Sequence, residues 1–290
     1  TLDEDQRVGY EDVLSVEAEF LSELIDSIGY TLKSLGGAFA PIFDEVVAPF
    51  FGPLLKASGT ADSKARFGAV CLFDDCVEYC GITSATKYAP ILTDAAFEGI
   101  HSDVIELQEA SVYGIAQITR RAPVCSLNNI VMPLVEKLVA ISRVGVDNAK
   151  NDIENIKLVE NSVSALATLT LFQSSPFRQV GLERSDITEI FLSNLPLQQD
   201  YDEAKFCHGG LCELMESGKV DLTKNLQRLL QIMGEISTDA SDGEDCATQD
   251  TLQRFARILA TVTEKDQDLV QKAYLRISSE AQNGISELLG

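Results

Sequence analysis

Apolar residues recur at intervals of three and four along most of the chain, and they fall into pairs of segments separated by short breaks. The clearest pair runs from Ala61 to Ile100 and the next from Asp103 to Arg143, so that equivalent starts lie 42 residues apart. Spacing of this kind places the apolar side chains on one face of an α-helix. A period of about 40–47 residues with two helices per unit is typical of HEAT-type repeats.

This pattern predicts an all-α fold, an α-α superhelix of the HEAT-repeat solenoid kind with about six helix pairs. Almost no strand is expected, because no stretch alternates apolar and polar residues. We expect a single array over residues 1–290, built from approximate units 12–57, 61–100, 103–143, 147–195, 200–237 and 246–289. The sequence begins without Met, so the array is expected to be a fragment of a longer chain. Such arrays offer long surfaces to partners and do not build a catalytic pocket.

Glycine and proline positions predict where helices end, bend or pack closely. The Gly36-Gly37 pair should end a long first helix, and Pro49 should kink or end the second. Gly114 lies within a predicted helix, where glycine costs roughly 1 kcal/mol in propensity. We therefore expect a neighbouring helix to pass close to Gly114, because a Cβ atom would clash there. The acidic stretch from Thr238 to Gln249 is predicted to be a loop.

The charge balance excludes one class of partner and favours another. The chain has 23 basic and 45 acidic residues, a net charge of −22 and a pI near 4.4. Nucleic-acid binding depends on a basic stripe, so no direct nucleic-acid partner is expected. A strongly acidic surface attracts basic partners instead, although the charge could serve solubility alone. The most apolar stretch, Ala38 to Leu55, is interrupted by two acidic residues and two prolines, so no membrane span is expected.

The cysteine and histidine residues give little sign of catalysis or metal binding. Seven cysteines, five of them in helical patterns, fit free thiols in a reducing compartment. Cys76 and Cys80 are one helical turn apart, but a zinc site needs four ligands and no second pair has matching spacing. Cys207 and His208 are neighbours that point in different directions on a helix, so a cysteine-dependent enzyme is only a remote alternative. No cofactor motif is present, and none is expected to bind.

The remaining candidate is a surface formed by the polar faces of the second helices and by the acidic stretch. If these helices line one side of the array, successive units form an acidic track for basic partner segments. The alternative is that the same charges only solvate exposed helix faces. The candidate partner-binding residues are Asp44, Glu45, Asp94, Glu98, Glu136, Glu189, Asp239, Asp242, Glu244 and Asp245.

Four stretches stand in a fixed order from Leu72 to Gly218: LFDDCVEYCG…KYAPIL, LQEASVYGIAQI, ENSVSALATL and FLSNLPLQQDYDEAKFCHGGLCELMESG. These stretches, in this order, resemble the importin-β (karyopherin-β) superfamily, most of all its importin-5 (karyopherin β3) branch. One departure is Gln108, which stands where the family repeat has an arginine.

The resemblance implies a C-terminal HEAT-repeat portion of a nuclear transport receptor, without enzymatic activity. Its implied partners are basic cargo proteins with nuclear localisation signals, such as ribosomal proteins or histones, together with Ran-GTP and FG nucleoporins. Its implied location is the cytoplasm and the nucleus, with passage through the nuclear pore. The first alternative is a HEAT-repeat scaffold subunit of another complex, such as a phosphatase or a chromosome-associated assembly.

Overall fold

The computed structural model shows helices as the regular elements of the residues it describes, and no strand occurs among them. The all-α, HEAT-type prediction is therefore confirmed. The chain divides into two compact units, Thr1–Ile130 (unit 1) and Val131–Gly290 (unit 2), which are described separately. The described residues are 4–56, 63–122, 127, 129–145, 153–172 and 184–290.

Unit 1 is built around one central helix. Its elements are α1 (Glu4–Leu35), a composite helix α2 that begins with the 3-10 turn Gly36–Phe39 and ends with Gly52–Lys56, α3 (Ser63–Tyr79), α4 (Gly81–Gly99) and α5 (Ile105–Arg121). Helix α3 packs against α1, α4 and α5. Its Phe73 meets Phe43 and Tyr88 edge to face, with ring centroids 5.2 and 5.3 Å apart. This aromatic cluster joins α2, α3 and α4 in one core.

The composite helix α2 shows how the chain accommodates its prolines. Helix α1 ends at Leu35 as predicted, and Gly36 adopts a φ of 53°, which favours glycine. The π-helical turn Phe43–Val47 follows within α2. The helical path then continues past Pro49 instead of ending there. A proline ring crowds the carbonyl four residues earlier, and a π turn widens the helix at that place.

One long apolar stretch in unit 1 differs from the expectation that no segment is long and apolar enough to span a membrane. Among the residues that the structure describes, Ser15–Lys56 is a helical stretch of 42 residues that could cross a membrane by length and composition alone. The same test is passed by core helices of soluble proteins, so it is weak evidence. Phe43, Val47, Phe51 and Leu55 from this stretch are buried in the protein core.

Unit 2 contains eight further helices among its described residues. They are α6 (Val131–Ser142), α7 (Ile153–Thr170), α8 (Arg184–Asn194), α9 (Tyr201–Glu216), α10 (Leu222–Ser241), α11 (Gln249–Lys265), α12 (Gln267–Tyr274) and α13 (Ser279–Leu289). Helix α7 packs against α6, α8 and α9, whereas α10 packs mainly against α13. Two predicted boundaries are wrong. Helix α10 runs into the predicted acidic loop as far as Ser241, and the last predicted helix is divided into α12 and α13.

Side-chain caps fix the starts of the last five helices. The carboxylate of Asp200 accepts hydrogen bonds from the backbone N–H groups of Asp202 and Glu203 at the start of α9. The same arrangement recurs at α10, α11, α12 and α13, where the caps are Asp221, Thr248, Asp266 and Ser278. Each cap satisfies a backbone donor that has no partner inside its helix, which stabilises a helix by about 0.5–2 kcal/mol.

Close backbone approach occurs where glycines face a neighbouring helix. A Cβ atom on Gly114 would overlap the carboxylate of Asp74 on α3, so the expected close contact at Gly114 is confirmed. In unit 2 the backbones of α10 and α13 meet directly. A Cβ atom on Gly234 would overlap the backbone of Ala281, and one on Gly284 would overlap the carbonyl oxygen of Gly234. Backbone atoms cannot rotate away, so this crossing requires glycine.

We expect Gly234→Ala to destabilise the chain by about 1–3 kcal/mol through overpacking, measured by urea unfolding. Gly209→Ala is the matched control, since a Cβ atom there would lie at an ordinary 3.7 Å from the Thr251 hydroxyl. The control should be neutral or slightly stabilising because alanine has the higher helix propensity. Equal stability of the two variants would contradict the close crossing of α10 and α13.

Candidate functional site

In unit 1 the structure places all four candidate acids on the surface, but two of them are held by neighbouring helices. Asp44 forms an ion pair with Lys87 at 2.8 Å and accepts a hydrogen bond of 2.5 Å from the Tyr88 hydroxyl. The hydrogen bonds from Lys87 and then Tyr88 lower the pKa of Asp44. Glu98 pairs with Arg66 at 2.9 Å. Asp44 therefore joins α2 to α4, and Glu98 joins α4 to α3.

The other two acids of unit 1 carry charge that is not used inside the fold. Glu45 and Asp94 are exposed, and neither forms an ion pair or a side-chain hydrogen bond with the described part of the chain. Glu136 on α6 and Glu189 on α8, in unit 2, are also exposed. Such carboxylates stay hydrated and attract basic groups from solution.

The acidic stretch at the end of α10 is attached to the start of α9. Tyr201 donates a hydrogen bond to Glu244, which raises the pKa of that tyrosine to about 12. Lys205 forms an ion pair with Asp245. Asp239 lies on α10, half-buried, and burial raises its pKa. Asp242 is exposed. Two of the four candidate carboxylates therefore hold α9 and the stretch together.

The segment before α9 is anchored by side chains that the sequence analysis had not identified as structural. The fully buried Glu160 on α7 accepts hydrogen bonds from the backbone N–H groups of Gln198 (2.8 Å) and Gln199 (2.9 Å). Burial raises the pKa of Glu160, and these hydrogen bonds oppose that rise. Arg228 on α10 donates to the carbonyl oxygens of Leu192 (2.9 Å) and Ser193 at the end of α8. A carboxylate within an otherwise apolar helical stretch was the available sequence signal for Glu160.

The hydrogen bonds of His208 show whether this histidine can act as the general base for Cys207. The Nε2 atom of His208 accepts a hydrogen bond from the Leu197 N–H at 3.2 Å, and its Nδ1 atom lies 2.9 Å from the Cys246 carbonyl oxygen. Burial lowers the pKa of His208 to about 4, so the ring is neutral and Nδ1 is the donor. Both ring nitrogens are thus used to hold two backbone segments, and neither is directed to Cys207 as a general base.

The other described cysteines are buried, except for Cys71, which is half-buried. Cys76 and Cys80 are buried, and the Cys80 thiol lies 3.6 Å from the Gly36 carbonyl oxygen, to which it donates. No group of three or more potential metal ligands occurs within the described ranges. Cys125 lies outside those ranges.

Two adjacent carboxylates, one buried and one half-buried, lie on the central helix α3 of unit 1. Asp74 is 2% exposed, and its Oδ1 atom has no hydrogen-bond partner. Desolvation, followed by the charges of Asp75 and Glu78, raises the pKa of Asp74 well above its usual range. Desolvation and then Glu78 raise the pKa of Asp75 to about 7, against the opposing charge of Lys33. A raised pKa favours the protonated form of each carboxyl in the folded protein over its form in the unfolded chain.

The fold defined by these helix pairs is the HEAT-repeat fold of karyopherins. No protein-family model matches the chain. Solved structures of the karyopherin Kap121p do match, over 94% of this chain. A multiply substituted mutant gives a TM-score of 0.66 at 18% identity, and the complex with the SUMO protease Ulp1p gives 0.67 at 17% identity. The complex with the extreme C-terminus of the phosphatase Cdc14p gives 0.62 at 17% identity. This chain corresponds to 22–23% of the length of those karyopherin chains.

Asp74 and Asp75 predict that the stability of the fold depends on pH. Because Asp74 and Asp75 have raised pKa values in the folded state, their contribution to the free energy of unfolding should be greatest below about pH 4, the usual aspartate pKa. This contribution should fall as the pH rises towards 7, where Asp75 has begun to ionise. Asp74→Asn with Asp75→Asn should flatten this dependence and raise the free energy of unfolding at pH 7 by more than about 1 kcal/mol. Urea unfolding across a pH series measures both effects.

The matched control is Asp94→Asn with Asp242→Asn, the same two substitutions at exposed positions. This variant should keep the slope of the parent. An equal flattening in both variants would assign the pH dependence to the overall charge of −22 and not to Asp74 and Asp75.

Proposed function

We propose that this chain is a HEAT-repeat segment of a nuclear transport receptor of the importin-5 (karyopherin β3) type. The observation that carries the proposal is the match of 94% of the chain to a segment of a karyopherin with a TM-score near 0.66. The ordered sequence resemblance from Leu72 to Gly218 supports the same branch. On this proposal residues 1–290 form one array within a longer receptor that moves between the cytoplasm and the nucleus.

The segment binds basic stretches of cargo proteins, such as nuclear localisation signals of ribosomal proteins or histones. Exposed carboxylates that are not used within the fold support this role, because rim charges speed the encounter with basic partners. They are Glu45, Asp94, Glu136, Glu189 and Asp242. Asp44 and Glu98, which join helices, and Glu244 and Asp245, which hold the acidic stretch to α9, also contribute negative potential, as does Asp239.

Ran-GTP and FG nucleoporins are further partners on this proposal, and the segment works as a binding surface without catalysis or a cofactor. The solved karyopherin Kap121p has been seen with two protein partners, Ulp1p and the C-terminus of Cdc14p. Those complexes support a protein-binding role for the segment in its parent receptor.

The test compares two charge reversals in unit 1. Glu45→Lys with Asp94→Lys should slow the association of a lysine-rich localisation peptide by roughly 3–10-fold at low salt and reduce its salt dependence. Glu19→Lys with Glu23→Lys is the control, because these exposed acids lie on α1 and cause the same change in net charge. Stopped-flow association across a salt series measures the rates, and thermal melting checks that both variants fold.

Equal slowing in the two variants would mean that only the net charge matters, and no binding to the unaltered chain would remove the cargo role from this segment. Ran-GTP and an FG peptide are titrated against the same chain. Binding of a basic peptide without either of them would favour a HEAT-repeat scaffold of another complex.

A further inference from the structure

Helix α1 is attached to unit 1 by a small contact. Among its side chains whose burial is described, Leu32 is the only one that is fully buried. Apart from the turn that leads into α2, the helix packs mainly on α3. Its outer face carries exposed apolar side chains, among them Val16 and Phe20. A helix with so few buried contacts has a low local stability, so a single group in its contact can decide whether it stays packed.

The contact between α1 and α3 is close at two glycines. A Cβ atom on Gly68 of α3 would overlap the side chain of Ile25. A Cβ atom on Gly29 of α1 would lie 2.8 Å from the Oδ2 atom of Asp75. The Asp75 carboxyl therefore rests against the backbone of α1. A neutral carboxyl at this place is a packing group, whereas a charged one loses part of its hydration when the two helices meet.

The charges that act on Asp75 oppose one another. Desolvation is the largest cause that raises the pKa of Asp75, and the charge of Glu78 adds to it, whereas Lys33 on α1 lowers it. Glu78 also accepts a hydrogen bond of 2.6 Å from the Tyr113 hydroxyl on α5. Lys33 is exposed, with its Nζ atom 5.9 Å from the centroid of the Tyr79 ring. Desolvation and Glu78 outweigh Lys33, so that the pKa of Asp75 is about 7.

The other helices around α3 bring no second cation to Asp75 among the described residues. Asp44 and Lys87, from α2 and α4, form an ion pair with each other at 2.8 Å. The remaining titratable neighbours in this core are acids or thiols, namely Asp74, Glu109, Cys71 and Cys80. An ionised Asp75 therefore adds to a negative cluster and has Lys33 as its counter-charge.

We propose that α1 is a proton-controlled arm, which packs on α3 while the Asp75 carboxyl is neutral and is released when that carboxyl ionises. A carboxyl whose pKa is higher in the packed state binds its proton more tightly there. It therefore stabilises packing fully below its ordinary pKa near 4, and this effect is lost as the pH rises through about 7. Neutral pH lies at the upper end of this range, so small changes in pH shift the balance. The inference needs no partner and does not depend on the proposed function.

Hydrogen exchange of the 290-residue chain, followed by mass spectrometry, tests the proposal. After correction for the intrinsic exchange rate at each pH, the protection of α1 amides should fall about tenfold from pH 6 to pH 8. This is the change expected for one carboxyl that titrates near pH 7 in the packed state and near 4 in the released state. Amides of unit 2 in the same sample are the internal reference and should change much less.

Four variants separate titration from packing. Asp75→Asn should abolish the fall and keep α1 protected at pH 8, because an amide of the same shape carries no charge. Asp26→Asn is the control, since this acid of α1 is exposed, and it should keep the fall. Ile25→Ala weakens the same contact without changing its titration, so it should lower protection by a similar factor at every pH. Lys33→Gln removes the counter-charge and should extend the fall to higher pH.

The proposal is overturned if α1 protection in the parent does not depend on pH, or if Asp75→Asn keeps the parent profile. Loss of the pH dependence in Asp26→Asn would also overturn it, because the effect would then belong to the overall charge. An equal fall in α1 and α3 would do the same, because unit 1 would then unfold as a whole and α1 would not be released separately.

Discussion

Close approach of helix backbones is the constraint on which both units depend. An all-α chain has no sheet to hold its elements in register, so its core is set by how nearly helices can meet. Gly234 and Gly284 let α10 and α13 touch backbone to backbone, and Gly114 brings α5 onto α3. Packing density in a protein interior leaves no room for an added side chain at such crossings. The positions of the exposed faces follow from these contacts.

Buried polar groups perform a second structural task, which is to hold irregular segments between helices. Glu160, His208 and Arg228 come from three different helices, yet all of them bond to backbone groups between residues 192 and 199. A buried backbone group without a partner costs free energy, so each bond both fixes the segment and avoids that cost. The start of α9 is thereby positioned, and with it Tyr201 and Lys205, which hold the acidic stretch after α10.

Some surface acids form ion pairs within the fold, whereas others do not pair with any described residue. Asp44 and Glu98 connect helices of unit 1, whereas Glu45 and Asp94, on the same elements, remain hydrated. In unit 2, Arg254 likewise pairs with Glu216, which connects α11 to α9.

The sequence by itself determined the helices, because helix periodicity and glycine stops are local. The end of α1 at Leu35, the close contact at Gly114 and the all-α class all follow from spacing and residue type. The sequence could not show which acids are free, because partners such as Lys87 for Asp44 lie 43–44 residues away and meet only when helices pack. For the same reason it gave no sign that Met215, Leu222, Ile258 and Leu269, from four different helices, line one groove of unit 2. Burial and charge pairing are properties of the packed chain, and tertiary structure alone decides them.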